Sequence, residues 1–187
     1  MQLQFKVQLT GITKPPVWRR VAVPASLTFM DFHEVIQTAM GWYNYHLFMF
    51  SPGGYGSSPS ITPLHDDSEP DDLDASTVIL SAVFTEEGQE FVYTYDFGDD
   101  WMHSILLEKI TDDGAEKPIL LAGKGACPPE DCGGPWGYES LKQVLANPKD
   151  PEHKEMKDWL GLSKSAKWDA AAFDLKEKQE AVATVLD

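Results

Sequence analysis

Long apolar runs are missing from this chain: nothing approaches the roughly 20 residues a helix needs to cross a bilayer, so no membrane association is expected. Cysteine is scarce, two in 187 residues, which excludes a disulfide framework. Basic residues are outnumbered two to one, 15 Lys+Arg against 30 Asp+Glu, for a net charge of −15. A chain of that sign repels polyanions unless its basic side chains gather on one face. Its tightest basic group, Arg19–Arg20 near Lys14, lies in a strand-like run where neighbours point to opposite faces. Direct nucleic-acid binding is therefore disfavoured, leaving an unknown protein or a small ligand as partner, basic or cationic in character. Standard catalytic signatures are absent too: no G-x-S-x-G elbow, Walker loop, H-E-x-x-H or G-x-G-x-x-G occurs.

An apolar share of 42% and an aromatic share of 11% fit a folded protein. The start, MQLQFKVQLTGI, alternates polar and apolar residues. It reads as a half-buried strand rather than a signal or transit peptide, so a cytoplasmic location is expected. A second strand is expected over Val17–Val23 after the Pro15–Pro16 turn, and a helix over 28–40. Thr28 and Asp31 form a capping-box start there, Phe29, Phe32, Ile36 and Met40 recur at helical spacing, and Gly41 marks the stop. YHLFMF (45–50) reads as a buried strand. Residues 51–76, rich in Ser, Pro and Gly and then acidic, read as a long loop. The run from Asp66 to Asp74 has calcium-type oxygens but lacks the turn glycine and final Glu of an EF-hand loop.

EFVYTYDFGDDWMHSILLEKI (90–110) reads as a hairpin with Phe91, Tyr93, Tyr95 and Phe97 on one face. A strand over 117–123 follows, then helices beginning near 137, at 150–160 (cap Asp150) and near 174–186 (cap Asp174, with Ala181, Val182, Val185 and Leu186 apolar). Strands first and helices last, without βαβ alternation, predict an α+β fold. It should be one domain over 1–187, a largely antiparallel sheet packed by an early helix and C-terminal helices.

Two stretches carry candidate chemistry. In GACPPEDCGGPWGY, Cys127 and Cys132 are four residues apart, outside the two-residue spacing of redox pairs and common zinc knuckles. Two thiolates do not complete a zinc site, so His46, His103 or an acid such as Asp131 would have to supply the rest. The competing reading is a rigid corner fixed by Pro128–Pro129 and Gly133–Gly134. In YDFGDDWMHS, Asp96, Asp99, Asp100 and His103 crowd a hairpin turn. They suit general acid–base work or a divalent cation, although Asp and Gly are also what such a turn requires. His103, two residues from Trp101 on one face, is expected to be partly buried. His33 is expected to border the core, His46 to sit in the apolar strand, His65 in the loop and His153 in the first turn of a helix.

The ordered set VWRRVAVP, IQTAMGWYNYHLFMF, YTYDFGDDWMHSILLE, CPPEDCGGPWGYESL and DPEHKEMKDWLG resembles the plasmid pRi ORF-three-like family, named after the third open reading frame of a root-inducing plasmid. The resemblance runs over nearly the whole chain. It implies a compact α+β roll-like domain of plasmids, mobile elements and microbial chromosomes, and it assigns no reaction. The family's characteristic residues fall on Trp18, Trp42, His46, Tyr95, Asp96, Gly98, Asp99, Trp101, His103, Pro128, Pro129, Glu130, Asp131, Gly133, Gly134, Gly137 and Tyr138. Where members read H-L-H, this chain has His46-Leu47-Phe48.

The functional expectation is an acidic binding or interaction domain, an accessory factor linked to plasmids or mobile elements. Its surface would be formed by Asp96, Asp99, Trp101, His103, Glu130, Asp131 and Tyr138. The alternative is a zinc-dependent hydrolase between the 96–103 hairpin and the 127–134 corner, with His46, His103, Cys127 and Cys132 as candidate ligands.

Overall fold

Alternation along the first two strands sets the architecture. In β1 (Gln2–Thr13) the residues Leu3, Phe5, Val7 and Leu9 are buried, and in β2 (Pro16–Pro24) Val17, Arg19, Val21 and Val23 are. Antiparallel pairing puts Phe5 opposite Val21 and Leu3 opposite Val23, so one face of the ribbon is apolar apart from Arg19, which lies opposite Val7. The other face carries Gln4, Arg20 and Glu108, with Arg20 Nε 2.6 Å and its Nη2 2.8 Å from the Glu108 carboxylate. Arg19 and Arg20 thus point to opposite sides of the sheet, as strand geometry requires.

The computed structural model describes residues 1–66, 68–112 and 116–187; Asp67, part of the expected acidic loop, lies outside the described residues. The further strands are β3 (Phe48–Ser51), β4 (Ile61–Thr62), β5 (Leu73–Asp74), β6 (Glu90–Tyr95), β7 (Trp101–Thr111) and β8 (Ile119–Lys124). All eight join one sheet in the order β5-β4-β3-β6-β7-β1-β2-β8, antiparallel except for the β4–β5 pair. The helices are α1 (Phe29–Met40), α2 (Leu80–Val83), α3 (Gly134–Ala146), α4 (His153–Trp159) and α5 (Leu175–Ala183). The chain is a single-domain α+β fold, and among the described residues no helix is long and apolar enough to cross a membrane.

Helix α1 lies over the apolar face of the sheet. Its capping box is complete: Asp31 N–H donates to Thr28 Oγ1 at 3.1 Å and Thr28 N–H to Asp31 Oδ2 at 2.9 Å. Gly41 ends it in the left-handed conformation at φ 111°. Phe29 and Phe32 meet Phe50, Phe5, Phe84 and Phe91 at ring separations of 4.8–6.1 Å. Each such buried ring contributes about 1.5–3 kcal/mol.

Several expectations need correction. The 51–76 segment contains β4 and β5 and so extends the sheet edge, because two-residue strands carry no readable period. The strand expected over 45–50 begins only at Phe48, which leaves His46 in a loop. Phe97 has left the hairpin face and is 42% exposed, since Asp96 already starts the turn. α3 begins at Gly134. α4 begins at His153, because the Asp150 carboxylate holds the preceding turn by accepting from Glu152 N–H. α5 ends at Ala183, short of the expected 186; of the apolar residues expected there only Val182 is fully buried, Val185 packs partly, and Ala181 and Leu186 are exposed.

Candidate functional site

After β8 the chain crosses one end of the sheet. Lys124 closes β8 beside Trp18 of β2, Trp18 pairs with Gln8 of β1, and Leu9 pairs with His103 of β7. Residues 125–133 therefore span four strand ends, roughly 14 Å at the usual inter-strand spacing, and arrive at the β6–β7 turn. There Gly133 N–H donates to Asp99 Oδ2 at 3.1 Å. Glycine is required on arrival: a Cβ on Gly134 would lie 2.3 Å from Asp99 O, and one on Gly137 would lie 1.8 Å from Cys132 O.

The β6–β7 turn is built by a side chain. Asp96 is 6% exposed, and its Oδ1 accepts from Gly98 N–H at 2.9 Å and Asp99 N–H at 3.3 Å. Its other oxygen, Oδ2, faces outward to His46 Nε2 at 3.5 Å. Asp131, whose carboxylate is 69% exposed, brings Oδ1 to 3.2 Å from the same Nε2. That nitrogen is buried yet has no hydrogen-bond partner, because neither approach has hydrogen-bond geometry.

A third loop, 42–46 after α1, completes the cluster. Trp42 Nε1–H donates to Pro128 O at 2.9 Å and Tyr43 N–H donates to Glu130 Oε1 at 2.9 Å. The Tyr95 hydroxyl accepts from Tyr45 N–H and donates to Glu130 Oε1, both at 3.0 Å. Burial, with Glu130 adding to it, pushes the Tyr95 phenol up, so it stays a donor. Beneath the loop His33 is fully buried between Asn44 Oδ1 (2.7 Å) and the Tyr93 hydroxyl (2.8 Å), with Gln37 Nε2–H donating to that hydroxyl at 2.8 Å. This network assigns the proton to His33 Nε2 and leaves Nδ1 as acceptor. Burial holds its pKa down at about 4.

The expected residues divide into two groups. Asp96, Asp99, Glu130 and Asp131 converge with His46 at the surface. Trp101, His103 and Tyr138 are fully buried beneath it. His103 Nδ1 lies 3.2 Å from Tyr93 O, its Nε2 has no partner, and burial holds its pKa at about 4. Cys127 and Cys132 are free thiols. Burial pushes Cys127 up, and burial with Asp99 lifts Cys132 to about 12, so both are protonated at neutral pH. Among the described residues, the group of three or more potential ligands that comes together is His46, Asp96 and Asp131; His103 and the cysteines lie outside it.

Sequence reasoning missed Tyr43, Asn44 and Tyr45 of the third loop, and it missed Trp136. Tyr43 and Tyr45 are exposed with their rings 5.6 Å apart, and Trp136, in the first turn of α3, is 89% exposed. The signal available was aromatic density within turn-forming sequence, WYNYH and GGPWG.

The fold and the site define a class: a one-sheet α+β domain with three loops locked together at one sheet end by an acidic, aromatic-rimmed cluster. The chain belongs to the plasmid pRiA4b ORF-3-like protein family, whose model matches residues 1–177. It is 41% identical over 183 residues to the uncharacterized protein y4hQ of Sinorhizobium fredii (strain NBRC 101917 / NGR234), covering 96% of this chain and 90% of that one. It is also similar to the crystal structure of MM3350, a protein of unknown function from Methanosarcina mazei Go1. That match has a TM-score of 0.79 at 37% identity, over 94% of this chain and 96% of the other.

Proposed function

We propose that the domain is a binding module for a cationic segment of a partner protein, received where the β6–β7 turn meets the start of α3. The observation that carries this reading is the 89% exposure of Trp136, which stands in a groove of about 310 Å³ lined also by Asp100, Met102, Pro135 and Glu139. An indole so exposed is unusual for a folded surface and common at the energetic centre of interfaces. With carboxylates on both sides, its face suits a lysine or arginine side chain, a contact contributing about 0.5–1 kcal/mol at an exposed site. Among the described residues no Lys or Arg pairs with Asp96, Asp99, Asp100, Glu130 or Asp131, while Glu139 is engaged by Lys142 at 2.6 Å. The charge of −15 adds long-range attraction for a basic partner and disfavours contact with DNA. An accessory role for plasmid or mobile-element machinery, exerted through another protein, fits the same reading.

Fluorescence anisotropy with a labelled octapeptide alternating Lys and Gly tests it, with the Glu–Gly counterpart as control. Binding of the basic peptide alone is expected, weakening with added salt and about two- to fivefold weaker in Trp136→Ala. Equal affinity for both peptides, or an unchanged affinity in Trp136→Ala, would defeat the reading.

A further inference from the structure

We propose that His46, Asp96 and Asp131 hold one divalent transition-metal ion of the zinc class, a site independent of the cationic-segment reading. The three side chains come from three separate loops, yet one ligand atom from each lies within 4.8 Å of the others. Their spacing suits the ion. Zinc bonds of about 2.0–2.2 Å to nitrogen and oxygen separate ligand atoms by roughly 3.3–3.6 Å at tetrahedral angles. The distances from His46 Nε2 are 3.5 Å to Asp96 Oδ2 and 3.2 Å to Asp131 Oδ1.

These atoms are also free to coordinate. His46 Nε2 is buried without a hydrogen-bond partner. Asp96 is more than nine-tenths buried, and its Oδ1 is occupied by Gly98 and Asp99. Among the described residues its Oδ2 accepts no hydrogen bond and lies 3.5 Å from His46 Nε2. The buried, unpartnered His46 Nε2 costs about 1–3 kcal/mol, which a bound cation would recover. No lysine or arginine pairs with either carboxylate among the described residues, so no side-chain cation occupies the place that a metal ion would take. One imidazole nitrogen and two carboxylate oxygens suit zinc and its first-row neighbours better than calcium or magnesium, which take oxygen ligands. The two Asp96 Oδ1 contacts fix that carboxylate from behind, as outer-shell hydrogen bonds do in metal sites. Asp131 is exposed, so a fourth coordination position opens to solvent, leaving room for water or an exchangeable ligand.

The full chain, stripped by chelator dialysis and returned to metal-free buffer, is titrated with ZnCl₂ and assayed by calorimetry and elemental analysis. One equivalent is expected to bind the wild type and a Cys127→Ser/Cys132→Ser variant alike. Affinity should fall at least about tenfold in His46→Gln and in Asp131→Asn, as loss of a ligand requires. Asp131 is exposed, so its substitution leaves folding intact, which circular dichroism checks. Titration with Co²⁺ should give visible d–d bands without the strong near-ultraviolet absorption of sulfur-to-metal charge transfer. No stoichiometric binding by the wild type, undiminished binding by both His46→Gln and Asp131→Asn, or loss in the cysteine variant would each overturn the proposal. Peptide anisotropy repeated in chelator reads the groove separately, so failure of one proposal leaves the other standing.

Discussion

Substituting Gly134 with alanine probes whether the corner is truly seated on the hairpin. Gly134 has φ +66°, a conformation costing an L-residue about 1–2 kcal/mol. Its Cβ would also stand 2.3 Å from Asp99 O, roughly 1 Å inside van der Waals contact. Asp99 cannot easily retreat. Its N–H is bound to Asp96 Oδ1, and its own carboxylate receives Gly133 N–H. Forced shifts of that kind cost about 1–3 kcal/mol, for a total of about 2–5 kcal/mol. Gly133→Ala is the internal control. Its φ of +86° carries the same conformational cost, but its Cβ would meet Gly137 Cα at an ordinary 3.5 Å. Urea unfolding followed by tryptophan fluorescence reads both variants, since Trp42 and Trp101 are buried beside the corner. Gly134→Ala should lose about 1–3 kcal/mol more than Gly133→Ala. Equal losses would mean that the corner does not press on Asp99 in solution, and the account of the three-loop cluster would fail with it.

His33 and His103, both held near pKa 4 by burial, make the fold acid-sensitive. The unfolded chain takes these protons near pH 6.5 and the native chain only near 4, so their contribution is complete above 6.5 and is lost as pH falls toward 4. Each accounts for up to about 3 kcal/mol across that window. Urea midpoints at pH 7, 6 and 5 should fall steadily, and ¹⁵N NMR should show both rings neutral at pH 5; a charged ring there refutes the assignment. Arg19, 2% exposed, donates to the main-chain oxygens of Trp18, Ala39, Lys124 and Gly125 and lies 4.1 Å over Phe173, with burial lowering its pKa to about 10. A lysine has three donors and no planar fork, so Arg19→Lys should cost about 2–4 kcal/mol; a loss under about 0.5 kcal/mol in urea unfolding contradicts this.

The legible parts of the fold were those with a local cause. Leu3, Phe5, Val7 and Leu9 alternate because one face of β1 is buried, and α1 declared itself through Thr28, Asp31 and Gly41. His103 was legible too, for it shares strand parity with Trp101, Ile105 and Leu107, all of which face the core. Hidden were the elements too short for a period, β4, β5 and α2. Hidden also was the meeting of loops 42–46, 96–100 and 125–134, which depends on strand order. Nothing near His46 announces that β8, three places from β7 in the sheet, returns its loop across the sheet end to Asp131.

Whether that corner is only rigid or also chemically equipped turns on which residues bear its unusual backbone. The non-glycine residues with positive φ among the described residues are Asn44, Asp96, Asp100 and Asp131. One lies on each of the loops 42–46 and 125–134 and two on the β6–β7 turn, so all four belong to this cluster. Glycine takes such a position where backbone presses on backbone, as at Gly134, and Asn and Asp are the side chains that enter it most readily. Asn44, Asp96 and Asp100 have identifiable tasks: Asn44 engages His33 and Glu34, Asp96 builds the turn, and Asp100 accepts from the Tyr55 hydroxyl. Among the described residues the Asp131 carboxylate accepts no hydrogen bond. It stands 3.2 Å from His46 Nε2, is otherwise exposed to solvent, and sits on a backbone at φ 55°. A carboxylate so placed, beside a buried imidazole nitrogen without a partner, is positioned as a ligand, which makes Asp131 the residue to substitute first.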